Sequence, residues 1–234
     1  MATDRVMPES RRVSTEPPWR LWFGVVTAVL VVVAGGIQFG EPIYRQRSAK
    51  AMIKRVGGEF RTEKGGPDWL RRQIGDERMT LLDVVERAQL RGKHVTDTDL
   101  AHLRGLKSLH FLALGRTQIT DAGVAHLREL DGLQGLGFDG AQIGDAGLQH
   151  LGRLTSLQVL TLDDTHITDA GLAHLIDLPR LESLSLCNTA VTDSGLAQLK
   201  GLRCLRNLRI RGTPVTDAGI ADLQRALPGL EICR

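Results

Sequence analysis

The chain has 234 residues, of which 42% are hydrophobic and 24% charged, with a formal net charge of +3. These are globular proportions that exclude wholesale disorder, and the basic residues form no long run of the kind that grips nucleic acid, so no nucleic-acid partner is expected. Three cysteines, Cys187, Cys204 and Cys233, are odd in number and lack CxxC spacing, which argues against a disulfide framework and against a zinc site.

In chain order, residues 1–18 read as a flexible N-terminal tail, with Pro8, Pro17 and Pro18 and no hydrophobic period. Leu21 to Phe39, LWFGVVTAVLVVVAGGIQF, contains no charge. As a helix it is about 28 Å long, close to the hydrocarbon thickness of a bilayer. Trp19 and Trp22 flank one end and Phe39 and Tyr44 the other, as suits the headgroup region. The expectation is a transmembrane helix over 19–41, a single-pass N-terminal anchor in contact with membrane lipid. The run exceeds the ~7–15 apolar residues of a cleaved secretory signal, the alternative that Ala34 and Gly36 would serve. Lysines and arginines are balanced across the span and leave the side of the membrane open. Gly24 and Ala28 form a small-xxx-small pair that would allow a homodimer through the span.

Residues 42–84 read as a basic juxtamembrane helical segment and solenoid cap. Ala49, Met52, Ile53 and Val56 share one helical face. Arg45, Arg47, Lys50, Lys54 and Arg55 occupy much of the rest, either against anionic headgroups or solvated on a helix packed against the next domain. Gly57 and Gly58 end this helix, and a second is expected from Pro67, with Leu70 and Ile74 on its inner side.

From residue 85 to 234 a repeat governs the chain. VTDTDLAHL, ITDAGVAHL, IGDAGLQHL, ITDAGLAHL, VTDSGLAQL and VTDAGIADL begin at 95, 119, 143, 167, 191 and 215, always 24 residues apart. Before each motif stands L-x-x-L-x-L, as in Leu157, Leu160 and Leu162, whose last step has the period of a strand. After it Leu172, Leu175 and Leu178 recur every three residues, as on a helix. One such unit cannot offset the entropy of ordering its own backbone, whereas stacked units cover each other's open faces. The motif threonines and aspartates, such as Thr168 and Asp169, read as acceptors for free amides at a helix start. The glycines at 123, 147, 171, 195 and 219 read as points of close packing.

This pattern resembles the leucine-rich repeats, and most of all bacterial members with the ITDxGLxxL core, which are similar to the cysteine-containing subtype of F-box adaptors. Thr117, Thr165, Thr189 and Thr213 stand where that subtype has cysteine, and Ala141 departs. RVGGEF, GGPDWLRRQIGD and LLDVV resemble the lead-in of membrane-anchored bacterial relatives. The resemblance implies an α/β leucine-rich-repeat solenoid, an arc of short parallel strands with a convex helical side, preceded by the transmembrane helix. It also implies a protein–protein interaction module that binds an unidentified protein on its concave face. The alternatives are an F-box-like substrate adaptor for protein degradation, for which residues 1–84 leave no room, and a structural scaffold of the membrane or envelope.

Three features could be read as chemistry. GLGFDG, residues 135–140, spells G-x-G-x-x-G, but its register falls within a strand and not at a strand-to-helix turn, so no cofactor is expected. His102, His126, His150 and His174 form a column on the convex side, where a solvent-facing ladder is expected and no metal. Asp139 and Asp163 are expected side by side on adjacent strands with Asp164 nearby, but no nucleophile or base converges on them, so no catalytic site is assigned. The concave face instead offers Phe111, Asp139, Val159 and Asp163 as central contacts, with Arg209 and Arg211 steering a partner.

Overall fold

The computed structural model describes residues 43–66, 68–92 and 94–234. The span at 19–41, the tail, the Gly24–Ala28 pair, Pro67 and the side chains of Leu70 and Ile74 lie outside them. Among the described residues no helix is long and apolar enough to cross a membrane.

Helix α1, residues 43–55, buries the face its spacing predicts: Ala49, Met52 and Ile53 are buried and Val56 is packed against the same core. Its polar residues are partly consumed by the fold. Gln46 accepts the Val85 amide at 2.9 Å and donates to Ser108, Arg55 pairs with Asp99, and the Lys50 ammonium donates to the Asp83 carbonyl at 2.6 Å. Burial lowers the Lys50 pKa, with the Asp83 charge opposing it. Lys50 and Arg55 thus reach residues of the following segment, while Arg47 and Lys54 are exposed.

The cap also holds a strand where only helices were expected. Strand β1, Glu59–Glu63, runs antiparallel to β2, Val84–Gln89, from Glu59↔Gln89 to Glu63↔Val84, with a register slip between Arg61 and Thr62. EFRTE alternates in exposure, but three of its five residues are charged, so the period-two signal carries little hydrophobicity. Helices α2, Asp68–Ile74, and α3, Asp76–Met79, return the chain to β2. The buried Arg71 side chain ties that return together, donating to the Gly65 carbonyl from Nε and Nη2 at 3.1 and 2.7 Å and pairing with Asp76 and Asp83.

The repeats then stack in register. Strands β3, Phe111–Ala113, β4, Gly135–Gly137, β5, Val159–Thr161, β6, Ser183–Ser185, β7, Asn207–Arg209, and β8, Glu231–Cys233, are parallel and follow β2 in sequential order. Leu112, Leu136, Leu160, Leu184 and Leu208 oppose one another and are buried. The opposite side carries α4, Asp97–Leu100, α5, Asp121–Val124, α6, Asp145–Leu148, α7, Asp169–Leu172, α8, Asp193–Gln198, and α9, Asp217–Ala226.

Strands β3 to β7 each leave through a turn whose apex is left-handed: Arg116, Gly140, Asp164, Asn188 and Gly212 all have φ between 56 and 73°. Glycine, asparagine and aspartate tolerate that backbone best, and they hold four of these five positions. The following threonine closes the turn, its hydroxyl donating three residues back, as from Thr165 to the Leu162 carbonyl at 2.5 Å. Thr117, Thr189 and Thr213 do the same at 2.6–2.7 Å, and Ala141 lacks the hydroxyl to follow them.

The motif aspartates act across repeats. Asp145 Oδ1 accepts the Thr168 amide at 2.8 Å and Oδ2 the Thr168 hydroxyl at 2.6 Å, and Asp97, Asp169 and Asp193 hold Thr120, Thr192 and Thr216 in the same way. Thr168 and Thr192 then accept helix-start amides as expected, but the carboxylates serve the neighbouring coil and not their own helix. The ladder also fixes the glycines. A Cβ on Gly171 would sit 2.4 Å from Asp145 Oδ1, and the equivalent clash recurs at Gly123, Gly147, Gly195 and Gly219. At the ends Thr96 is held by its own Asp99, and Asp217 is met by Arg234.

Candidate functional site

The strand register decides which side chains meet on the concave face. Arg87, Phe111, Gly135, Val159, Ser183 and Asn207 form one column, and Gln89, Ala113, Gly137, Thr161, Ser185 and Arg209 the next. Small residues in the middle leave an open depression of about 330 Å³, lined by Arg87, Arg91, Phe111, Asp139, Val159 and Thr161 among others. A second depression of about 400 Å³ adjoins it between Arg91, Gly92, Gly115, Arg116 and Asp139.

Phe111, expected as a central contact, is half-buried on the concave face. Its ring lies over Gly135, where a Cβ would come within 2.5 Å, and the Arg87 guanidinium covers it at 4.0 Å from the centroid. Gly137 keeps clear of the Thr161 hydroxyl, and Gly140 adopts the left-handed turn. Each glycine of GLGFDG thus has a packing or conformational role within the strand and turn register expected for it. Val159 remains 38% exposed, one of only three large hydrophobic residues so exposed among those described.

The aspartates part company. Asp163 Oδ1 accepts the Ser185 hydroxyl at 2.6 Å and the Cys187 amide at 2.7 Å, so this carboxylate ties β5 to the next coil. Asp164 takes the left-handed turn and accepts the Asn188 side-chain amide at 2.8 Å. Asp139 Oδ1 is buried and has no hydrogen-bond partner among the described residues. An unmet buried acceptor of this kind costs about 1–3 kcal/mol. Asp139 and Asp163 hold equivalent places on adjacent coils, the Gly140 amide donating to the Asp163 carbonyl at 2.7 Å, but only Asp163 is engaged by its neighbours.

Arg209 and Arg211 are exposed, on and just after β7, and line neither depression. The arginines at the depressions are Arg87, Arg91 and Arg116. Arg87 and Arg91 were legible on the concave register; Arg116 sits in a turn position whose signal is glycine, asparagine or aspartate in the other repeats. On the convex side His102 is exposed and bonded to Ser48 at 2.9 Å, while His126, His150 and His174 are half-buried, a tighter packing than a fully solvated ladder. Among the described residues no group of three or more His, Cys, Asp or Glu could hold a metal ion.

Strand, left-handed turn, short helix and return, stacked in parallel at a 24-residue period, define a leucine-rich-repeat solenoid. The chain is similar to an internalin from Listeria monocytogenes, at 25% identity and a TM-score of 0.50 over 62% of this chain and 38% of that one. It is also similar to a leucine-rich-repeat protein from Leptospira interrogans, at 23% identity and a TM-score of 0.47 over 62% of this chain and 35% of that one. A third likeness is to internalin C2 from Listeria monocytogenes, at 21% identity and a TM-score of 0.46 over 79% and 80% of the two chains. The first supports the fold of a bacterial leucine-rich-repeat protein, although the match spans 38% of that internalin's length. No protein-family model matches the sequence, and no curated protein matches it.

Proposed function

We propose that this chain is a membrane-tethered interaction module that captures a protein partner on its concave sheet, centred on the strands nearest the cap. The observation that carries the reading is the depression between β2 and β5, where Val159 is left 38% exposed beside a ring stacked under Arg87. Exposed apolar surface framed by arginines suits a protein contact. Phe111, Asp139 and Val159 form its centre, with Arg209 and Arg211 as distant charges that steer approach. Asp163 is half-buried and holds Ser185 and Cys187 of the next coil. A catalytic role for Asp139 with Asp163 is disfavoured because Asp163 is already engaged by Ser185 and Cys187 of the next coil. The tether rests on the uncharged run at 21–39.

The test is proximity labelling from the full chain in its membrane, comparing Val159→Arg with the convex double change His126→Ala, His174→Ala. The partners labelled by the unaltered chain should disappear with Val159→Arg and persist with the convex pair. The reverse result puts the partner on the wrong face for this reading.

A further inference from the structure

Two guanidinium groups beside the depressions are unopposed. Arg87 has Glu86 at 3.7 Å, but Arg91 and Arg116 make no ion pair among the described residues. Between them stands Asp139, which lines both depressions and whose Oδ1 has no donor among the described residues. None of the described residues completes this arrangement, and each part asks for something different. The guanidiniums ask for an anion. The Asp139 carboxylate asks for an N–H and repels a bare anion. Val159 asks for an aliphatic contact, and the missing side chains at Gly115 and Gly137 leave room for a backbone to come close.

We propose that this end of the concave face binds an extended acidic peptide segment of the partner. A backbone amide of the segment donates to Asp139, whose carboxylate turns about its last bond to accept it. A glutamate or aspartate side chain bridges Arg91 and Arg116, and a neighbouring aliphatic side chain covers Val159 and the edge of Phe111. A free phosphate or carboxylate ion meets only the guanidiniums, and a metal cation only Asp139. The inference rests on the concave capture reading and adds the chemistry of what is captured.

The experiment uses the purified full chain in detergent and the anisotropy of a blocked, fluorescein-labelled heptapeptide of alternating glutamate and valine, with a lysine–valine peptide as control. Saturable binding of the acidic peptide alone is expected. Arg91→Gln with Arg116→Asn, which keeps a residue tolerant of the left-handed turn at 116, should weaken it about tenfold or more, the scale of one lost charge-assisted pair. Asp139→Ala separates the sources of affinity. It makes the groove more positive, so simple attraction of an anion would strengthen, whereas loss of the amide acceptor weakens the peptide. Stronger binding by Asp139→Ala, equal binding of the lysine peptide, or full displacement by inorganic phosphate at matched concentration would each overturn the inference. If the peptide fails while Val159→Arg still loses its labelled partners, capture on the concave face stands without the acidic specificity. If the peptide binds while the labelled partners are indifferent to Val159→Arg, the capture reading fails instead.

Discussion

Asp169 reaches across one full repeat: its Oδ1 accepts the Thr192 amide at 2.7 Å and its Oδ2 the Thr192 hydroxyl at 2.6 Å. A carboxylate that accepts two bonds at once holds neighbouring coils at one spacing and one rotation. Asp169→Ala strands a backbone amide at the start of α8, and the loss should be about 1.5–3 kcal/mol, the scale of hydrogen bonds to a charged group. Chemical denaturation of the full chain measures it. A change below about 0.5 kcal/mol, the level of an indifferent surface position, would mean the ladder is incidental.

Within the ladder from Asp97 to Asp193, Gly144 is the one place where a motif aspartate meets no hydroxyl. Asp121 Oδ1 accepts the Gly144 amide at 2.8 Å, but Oδ2 has nothing equivalent to Thr168 or Thr192. The backbone there is extended, with φ −126°, and a Cβ would lie 3.7 Å from Asp121 Oδ2, an ordinary contact. Gly144→Thr should therefore stabilise the array by about 0.5–1.5 kcal/mol, from the added bond and from a less flexible unfolded chain. A lower denaturation midpoint would show that the turn cannot accept the side chain.

Leu160 is fully buried between Leu136 and Leu184, so Leu160→Ala should cost roughly 2–5 kcal/mol. His150, in the unit before it, is half-buried with no hydrogen bond from its ring among the described residues, and His150→Ala should cost about 0.5 kcal/mol or less. Equal losses from the two would place a structural load on the histidine column that its surroundings do not explain.

Several carboxyls are held below their ordinary range. The Arg104 bonds lower Glu129, the Thr216 bonds lower Asp193, and Lys200 lowers Asp222. A folded-state pKa below the unfolded value means the folded chain binds fewer protons as pH falls. The stability from these groups is thus fully present above about pH 4–5, near the unfolded carboxyl values, and is lost as pH drops through the lower folded values. Denaturation midpoints should be flat from pH 7 to about 5 and fall below about 4. A midpoint that rises on acidification over that window would contradict the assignment.

If residues 21–39 are a retained anchor, the full chain should stay with membranes through an alkaline carbonate wash and keep its N-terminal tail. A mature N-terminus near Ile37 would instead identify a cleaved signal.

The sequence by itself determined the solenoid. A 24-residue period, L-x-x-L-x-L ahead of each motif, and apolar residues every three after it specify strand, turn and helix locally, because side-chain alternation is a property of the backbone form. The concave columns, the inner face of α1 and the burial of the leucines follow from the same periodicity. The tertiary structure alone decided what happens at separations of 22 to 24 residues and beyond. It turned Asp145 and Asp169 toward the next coil and engaged Asp163 with Ser185 and Cys187. It stacked Arg87 over Phe111, paired the charged strand β1 with β2, and left Asp139 Oδ1 without a donor among the described residues, between Arg91 and Arg116. A carboxylate in a repeat carries no local mark of whether it will cap its own helix, bind its neighbour or stay unmatched. Which occurs depends on the spacing and rotation between coils, and those are set only when the coils pack.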